Sequence, residues 1–113
     1  MHEVALAEAI WKQVSAEMDR HPDRRLLGYR LVVGKWSGAD PESLEFAVGL
    51  MASESPWPDA KAHLRVEPLA LVCKQCQREF EPEELNLACP GCGGRDVEPI
   101  RGQDLRLESL EVE

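Results

Sequence analysis

Apolar residues near the start of the chain recur at helical spacing. Ala7, Ile10, Trp11, Val14 and Met18 fall three or four apart, with Glu8, Lys12, Glu17 and Asp19 at other positions, so Val4 to Arg20 reads as one amphipathic helix. His21-Pro22 ends it, because proline disfavours helical backbone in the residue before it. The period then drops to two. Leu27, Tyr29, Leu31 and Val33 alternate with Gly28, Arg30 and Val32, which is a strand pattern. Gly34 and Ser37-Gly38 mark a turn. Asp40-Pro41 starts a second helix, with a carboxylate cap followed by proline at the first helical position. Leu44, Ala47, Val48 and Met51 give that helix a buried face, and Ser53 to Pro58 breaks it.

A second alternation, Ala62, Leu64 and Val66 against His63, Arg65 and Glu67, predicts another strand. Leu69 to Val72 leads into a segment, Cys73 to Cys92, that is short of core residues. Leu105, Leu107, Leu110 and Val112 read as a last strand whose alternation slips by one residue near Ser109, as at a β-bulge or a frayed end. The expected fold class is α+β: a three-stranded sheet covered by two helices, with an inserted four-cysteine, zinc-ribbon-like subdomain. The expected division is an α/β domain of residues 1–70 plus 101–113 and a metal-binding domain of residues 71–100.

All four cysteines lie in two Cys-x-x-Cys pairs, Cys73/Cys76 and Cys89/Cys92, with twelve residues between the pairs. Zinc accepts four thiolates in a tetrahedron, and such a closed shell keeps no position for a substrate, so the metal is read as structural Zn2+. The competing readings are a redox dithiol and an iron site of the rubredoxin kind. Gly93-Gly94 after the second pair suits a backbone turning tightly around a metal.

Composition narrows the function classes. The formal charge is −8, and four thiolates with one Zn2+ shift it by −4 and +2, to −10. Such a chain repels phosphate backbones, so nucleic acid is not an expected partner. No apolar run approaches the ~20 residues of a membrane span, no signal peptide is expected after Met-His-Glu, and paired thiols free to bind metal fit the cytoplasm. The sequence holds no nucleophile or acid–base constellation and no glycine-rich phosphate loop, so no catalytic residues are assigned and an enzyme is not expected. His21 and His63 read as exposed, and Trp11, Trp36 and Trp57 as core or partner contacts. Monomer and homodimer both remain open, the short linkers to the insert allowing a swap.

Met1-His2-Glu3 is the remaining candidate. An α-amine has an ordinary pKa of ~7.7–8.0. Amine, imidazole and intervening amides together make a nitrogen-rich set that suits Ni(II) or Cu(II). Glu3 could add an oxygen or hold the imidazole. The bland alternative is a solvated helix start, with Glu3 favouring the positive end of the helix dipole.

Taken together, Met1-His2-Glu3 opening a helix, Asp40 opening the next, Cys73-x-x-Cys76 and Cys89-Pro-Gly-Cys92 resemble the HypA family of hydrogenase-maturation nickel metallochaperones. Gly34 to Pro41 and Leu105 to Glu113 extend the resemblance over the full length. It implies that the N-terminus (Met1), His2 and Glu3 bind Ni2+ in transit, that Asp40 contributes to that site, and that Cys73, Cys76, Cys89 and Cys92 bind structural zinc. It also implies delivery of nickel to the large subunit of [NiFe] hydrogenase with a HypB-type GTPase as partner, and in some bacteria service to urease through its maturation factors. The alternatives are a zinc-ribbon adaptor that only mediates protein contacts, and a dithiol redox protein.

Overall fold

The computed structural model describes residues 2–83 and 86–113. The elements in chain order are α1 (His2–Asp19), β1 (Leu26–Gly34), α2 (Pro41–Ser53), β2 (Lys61–Glu67), β3 (Ala70–Cys73), β4 (Glu79–Phe80), β5 (Val97–Arg101) and β6 (Leu105–Val112). They form two three-stranded sheets, ordered β2-β1-β6 and β4-β3-β5. The first sheet with its two helices is the layer expected from the periodicities. Among the described residues no helix is long and apolar enough to cross a membrane.

β1 is the central strand of the first sheet. It runs parallel to β2, because α2 carries the chain back across the layer, and antiparallel to β6. The registers align three cross-strand rows on one face: Ala62, Tyr29 and Leu110; Leu64, Leu31 and Leu107; Val66, Val33 and Leu105. Leu107 and Leu110 share a face despite being three apart because the register shifts between Arg30/Ser109 and Leu31/Leu107, leaving Glu108 unpaired. That is the bulge the slipped alternation near Ser109 predicts. A second shift, between Leu26 and Gly28, turns Leu26 inward and leaves Leu27 41% exposed, against the simple alternation expected there. Val66 is also largely exposed, at the end of its strand.

Both helices pack on the rows of apolar side chains. α1 contributes Ala7, Ile10, Trp11, Val14 and Met18, and α2 contributes Leu44, Ala47, Val48 and Ala52. Trp11 Nε1 donates to the Val48 carbonyl at 3.0 Å, and Tyr29 Oη donates to the same oxygen at 3.4 Å. The Trp11 and Tyr29 rings meet edge to face at 5.3 Å, with Trp57 stacked on Trp11 at 6.5 Å. One carbonyl of α2 thus ties α1 and β1 together, and it satisfies both buried polar handles. Burial pushes the Tyr29 hydroxyl up to about 12, so it stays a neutral donor. Trp36, by contrast, is half exposed.

The opposite face of the sheet is a lattice of ion pairs. Val32 is buried there, in register between Arg65 and Arg106. Arg65 pairs with Glu108 at 2.9 Å and with Glu67, while Arg106 pairs with Glu67 and Asp104. The Arg106 guanidinium holds the nearly buried Glu67 carboxyl below the usual carboxylate range.

The two connections to the second sheet cross at the end of β1. Gly34 N–H donates to the Asp104 carbonyl, Lys35 N–H to Glu67 and Trp36 N–H to Gly102, all at 2.7–2.9 Å. Gly102 has φ +87°, and a Cβ there would overlap the Pro68 carbonyl oxygen and lie 2.6 Å from the Leu69 Cα. Gly102→Ala should therefore cost more than the ~1–2 kcal/mol of a left-handed backbone alone. Chemical denaturation of the zinc-loaded protein checks this, and an unchanged midpoint would show that the crossing has room to relax.

The second sheet has no strand signature in the sequence. β3 is a continuous apolar run too short to show a period, β4 has two residues, and β5 is exposed along nearly its whole length. Its strands come from main-chain pairing anchored at Cys73 rather than from an apolar face.

Candidate metal centres

β3 ends on Cys73, and the turn to β4 carries Cys76; Cys89 and Cys92 lie in the loop before β5. The four sulfurs all fall within 4.8 Å of one another, with Cys73 to Cys92 and Cys76 to Cys89 each at 3.6 Å. A tetrahedron with Zn–S bonds of ~2.3 Å sets its sulfurs about 3.8 Å apart, so the spacing fits zinc. All four thiols are unbridged. Among the described residues this is the only gathering of three or more such ligand atoms.

The two knuckles are built alike. Gln77 N–H donates to the Cys73 carbonyl at 2.7 Å, and Gly93 N–H to Cys89 at 2.8 Å. Cys73 N–H reaches the Arg78 carbonyl, and Cys89 N–H reaches Gly94. The residue after each second cysteine takes positive φ: +66° at Gln77 and +73° at Gly93. Gln77 is the only non-glycine among the described residues in that region, and its side chain donates back to the Lys74 carbonyl at 3.1 Å. The glycine at the matching place in the second knuckle is the one sequence signal that could have foretold it.

Main-chain N–H groups point at the sulfurs. Those of Cys92 and Gly91 pull the Cys89 thiol down to about 7 against the effect of burial. The Arg78 N–H acts likewise on Cys76, but hydrogen bonding from Cys89, burial and the other sulfurs together push that thiol up to about 11. Gly94 N–H opposes, without overcoming, a similar rise at Cys92. Four sulfurs this close resist ionising together, and a divalent cation removes that resistance.

The second candidate lies at the start of α1. His2 is exposed, and its Nε2 stands 3.7 Å from Glu3 Oε2. Glu3 is nearly buried, and its Oε2 accepts the Asp40 N–H at 3.1 Å. That donor is the main cause holding the Glu3 carboxyl below its ordinary range. Asp40 caps α2: its Oδ2 accepts Ser43 N–H at 3.0 Å and Ser43 Oγ–H at 2.7 Å, and the Ser43 hydroxyl is the main cause that lowers its carboxyl. Glu3 and Asp40 are thus brought together through a main-chain N–H, while the Asp40 carboxylate turns to its own helix. Met1 lies outside the described residues. The Glu3–Asp40 bond joins residues 37 apart, and nothing in either local sequence announces it.

Because these carboxyls are depressed in the folded state, their contribution is complete above the ordinary carboxylate range and is lost as pH falls through the lowered values. The Asp40 amide proton should accordingly titrate with a midpoint below the ordinary 4.5 of a glutamate. Glu3→Gln should remove that step from an NMR pH series, and a midpoint of 4.5 or above would mean that the bond is not made in solution.

Residues 1–112 match the family model described as hydrogenase/urease nickel incorporation, metallochaperone, HypA. The chain belongs to the HypA family. The hydrogenase maturation factor HypA of Aquifex aeolicus is 31% identical over 113 residues, covering 100% of this chain and 98% of that one. Its counterpart in Solidesulfovibrio magneticus is 33% identical over 119 residues, with both chains fully covered. The solution structure of the nickel metallochaperone HypA from Helicobacter pylori has a TM-score of 0.71 and 25% identity, covering 98% of this chain and 97% of that one. The fold expected from the periodicities and the HypA resemblance are both borne out. Four gathered cysteines in a nickel-incorporation family make this a metal-binding protein of hydrogenase maturation.

Proposed function

We propose that this protein is a non-enzymatic cytoplasmic carrier of Ni(II), loading one ion at Met1, His2 and Glu3 and releasing it to the large subunit of [NiFe] hydrogenase. The observation that carries the reading is the placement of His2 and Glu3 at an exposed helix start, braced by the Asp40 N–H, in a chain of a nickel-incorporation family. A site that must release its cargo needs exposure, and the His2 side chain has it. Glu3, already held by Asp40, keeps the start of α1 against α2 while nickel enters and leaves. Asp40 caps α2 through Oδ2 alone, so its Oδ1 can join the ligand set while Ser43 stays in place.

Cys73, Cys76, Cys89 and Cys92 would hold zinc, which offsets half the charge of four crowded thiolates and so fixes the two knuckles to each other. In this reading residues 1–70 plus 101–113 form the nickel-handling unit and residues 71–100 the zinc unit. A HypB-type GTPase serves as partner in loading, and urease maturation factors are a second class of client. Calorimetric titration of untagged, zinc-loaded protein with Ni(II) tests the proposal. One equivalent is expected in a planar, nitrogen-rich environment; a protein that takes up none would be a zinc-braced contact module instead.

A further inference from the structure

A groove of about 480 Å3 opens directly beside Glu3, between the first turn of α1 and the outer face of α2. Its walls are Val4, Phe46, Ala47, Leu50 and Met51. Val4 is 44% exposed, Leu50 54% and Phe46 73%, the last being the most exposed large apolar side chain among the described residues. Glu42, Phe46 and Leu50 are spaced four apart and so share one stripe of α2, which the core does not use. Neither the nickel ligands nor the zinc unit accounts for this exposure.

Among the described residues, the charged side chains lining the groove are all acidic. Glu3, Asp40 and Glu42 form its rim. No lysine or arginine occurs in the first eleven residues or between Lys35 and Lys61, whereas the latter stretch holds Asp40, Glu42, Glu45, Glu54 and Asp59. The last turn of α2 carries no basic residue. An occupant must therefore cover apolar surface and bring its own cations. A second copy of this chain fails that requirement, since it would set the same acidic rim against itself. An anionic membrane surface fails it for the same reason.

We infer that the α1/α2 groove docks an amphipathic helix of a partner protein, with apolar residues on Val4, Phe46 and Leu50 and lysine or arginine side chains against Glu42 and its neighbours. This is the helix-in-groove mode, read by anchors one turn apart. The groove stands on shape and charge alone; that its occupant is also the molecule exchanging nickel rests on the carrier reading above.

The test uses the zinc-loaded full chain, 15N-labelled, and two synthetic 14-residue probes: an amphipathic helix of leucine and lysine, and the same helix with glutamate replacing lysine. The leucine–lysine peptide should shift the amides of residues 4, 46, 47 and 50, and the leucine–glutamate peptide should shift none of them. Affinity should fall at least tenfold in Phe46→Ser and in Glu42→Lys, both exposed positions whose variants should keep full zinc content. Equal affinity in Phe46→Ser overturns the proposal, as does a response centred on Glu108 and Glu111 of the sheet. Groove amides that shift with protein concentration alone would make the occupant a second copy and overturn it too. Nickel uptake, measured separately, should be unchanged in Phe46→Ser; wild-type protein that takes up no nickel overturns the carrier reading and leaves the peptide result standing.

Discussion

Stripping the zinc proposed at the four cysteines with a strong chelator at neutral pH should unfold the segment from Ala70 to Arg101 while the β2-β1-β6 layer stays folded. The second sheet has little else to hold it. Its buried side chains are few, chiefly Ala70, Leu71, Cys73 and Cys89, and β5 lies open to solvent. The two knuckles face each other through sulfur. Structural zinc contributes an apparent ~10–16 kcal/mol in small metal-dependent domains, far beyond what four small buried side chains supply by packing. The first layer owes its stability to another source, the cluster around Trp11, Tyr29, Leu31, Leu44 and Val48. In a 1H–15N spectrum the amides of residues 73–98 should collapse to unfolded shifts, the Trp11 indole should keep its native position, and added zinc should restore the rest. Cys73→Ser should reproduce the apo spectrum. Full dispersion in protein shown by elemental analysis to be zinc-free would mean that main-chain pairing suffices.

His2→Ala should abolish stoichiometric nickel binding while zinc content and fold persist. His2 makes no packing contact that the layer needs: its side chain is 58% exposed. In the carrier reading its loss removes a metal ligand outright, so affinity should fall by more than the ~10–100-fold typical of deleting a supporting group. One extra residue ahead of Met1 should do comparable damage by displacing the amine, with His2 and Glu3 intact. Calorimetry and the planar Ni(II) absorption band read both variants. Normal binding by the extended protein would exclude the amine as a ligand, and normal binding by His2→Ala would move the site elsewhere.

Much of this molecule can be read without coordinates because its helices and outer strands carry complete periodic signals. Ala7 to Met18 and Leu44 to Val48 each mark one face of a helix, and both faces are buried. Asp40-Pro41 names its own cap. The irregularity at Ser109 is visible because the apolar set must stay on one side of the sheet, so a slip in spacing marks a bulge or a frayed end, and the register shift there makes it a bulge. The strands of the zinc unit left no such trace, since β3 is too short to show a period and β4 and β5 bury almost nothing.

The chain by itself determined the helix–strand order of the first layer, the cysteine quartet and the Met-His-Glu start, because each is a local pattern of residue types at fixed spacing. Only the tertiary structure decided that Glu3 answers the Asp40 N–H, that Gly34 meets the crossing at Gly102, that Gln77 takes a left-handed turn, and that Phe46 and Leu50 are left uncovered. These are relations between segments far apart in sequence, or between a side chain and what fails to cover it. Periodicity cannot express them, since it records which face of an element is apolar and not what that face meets.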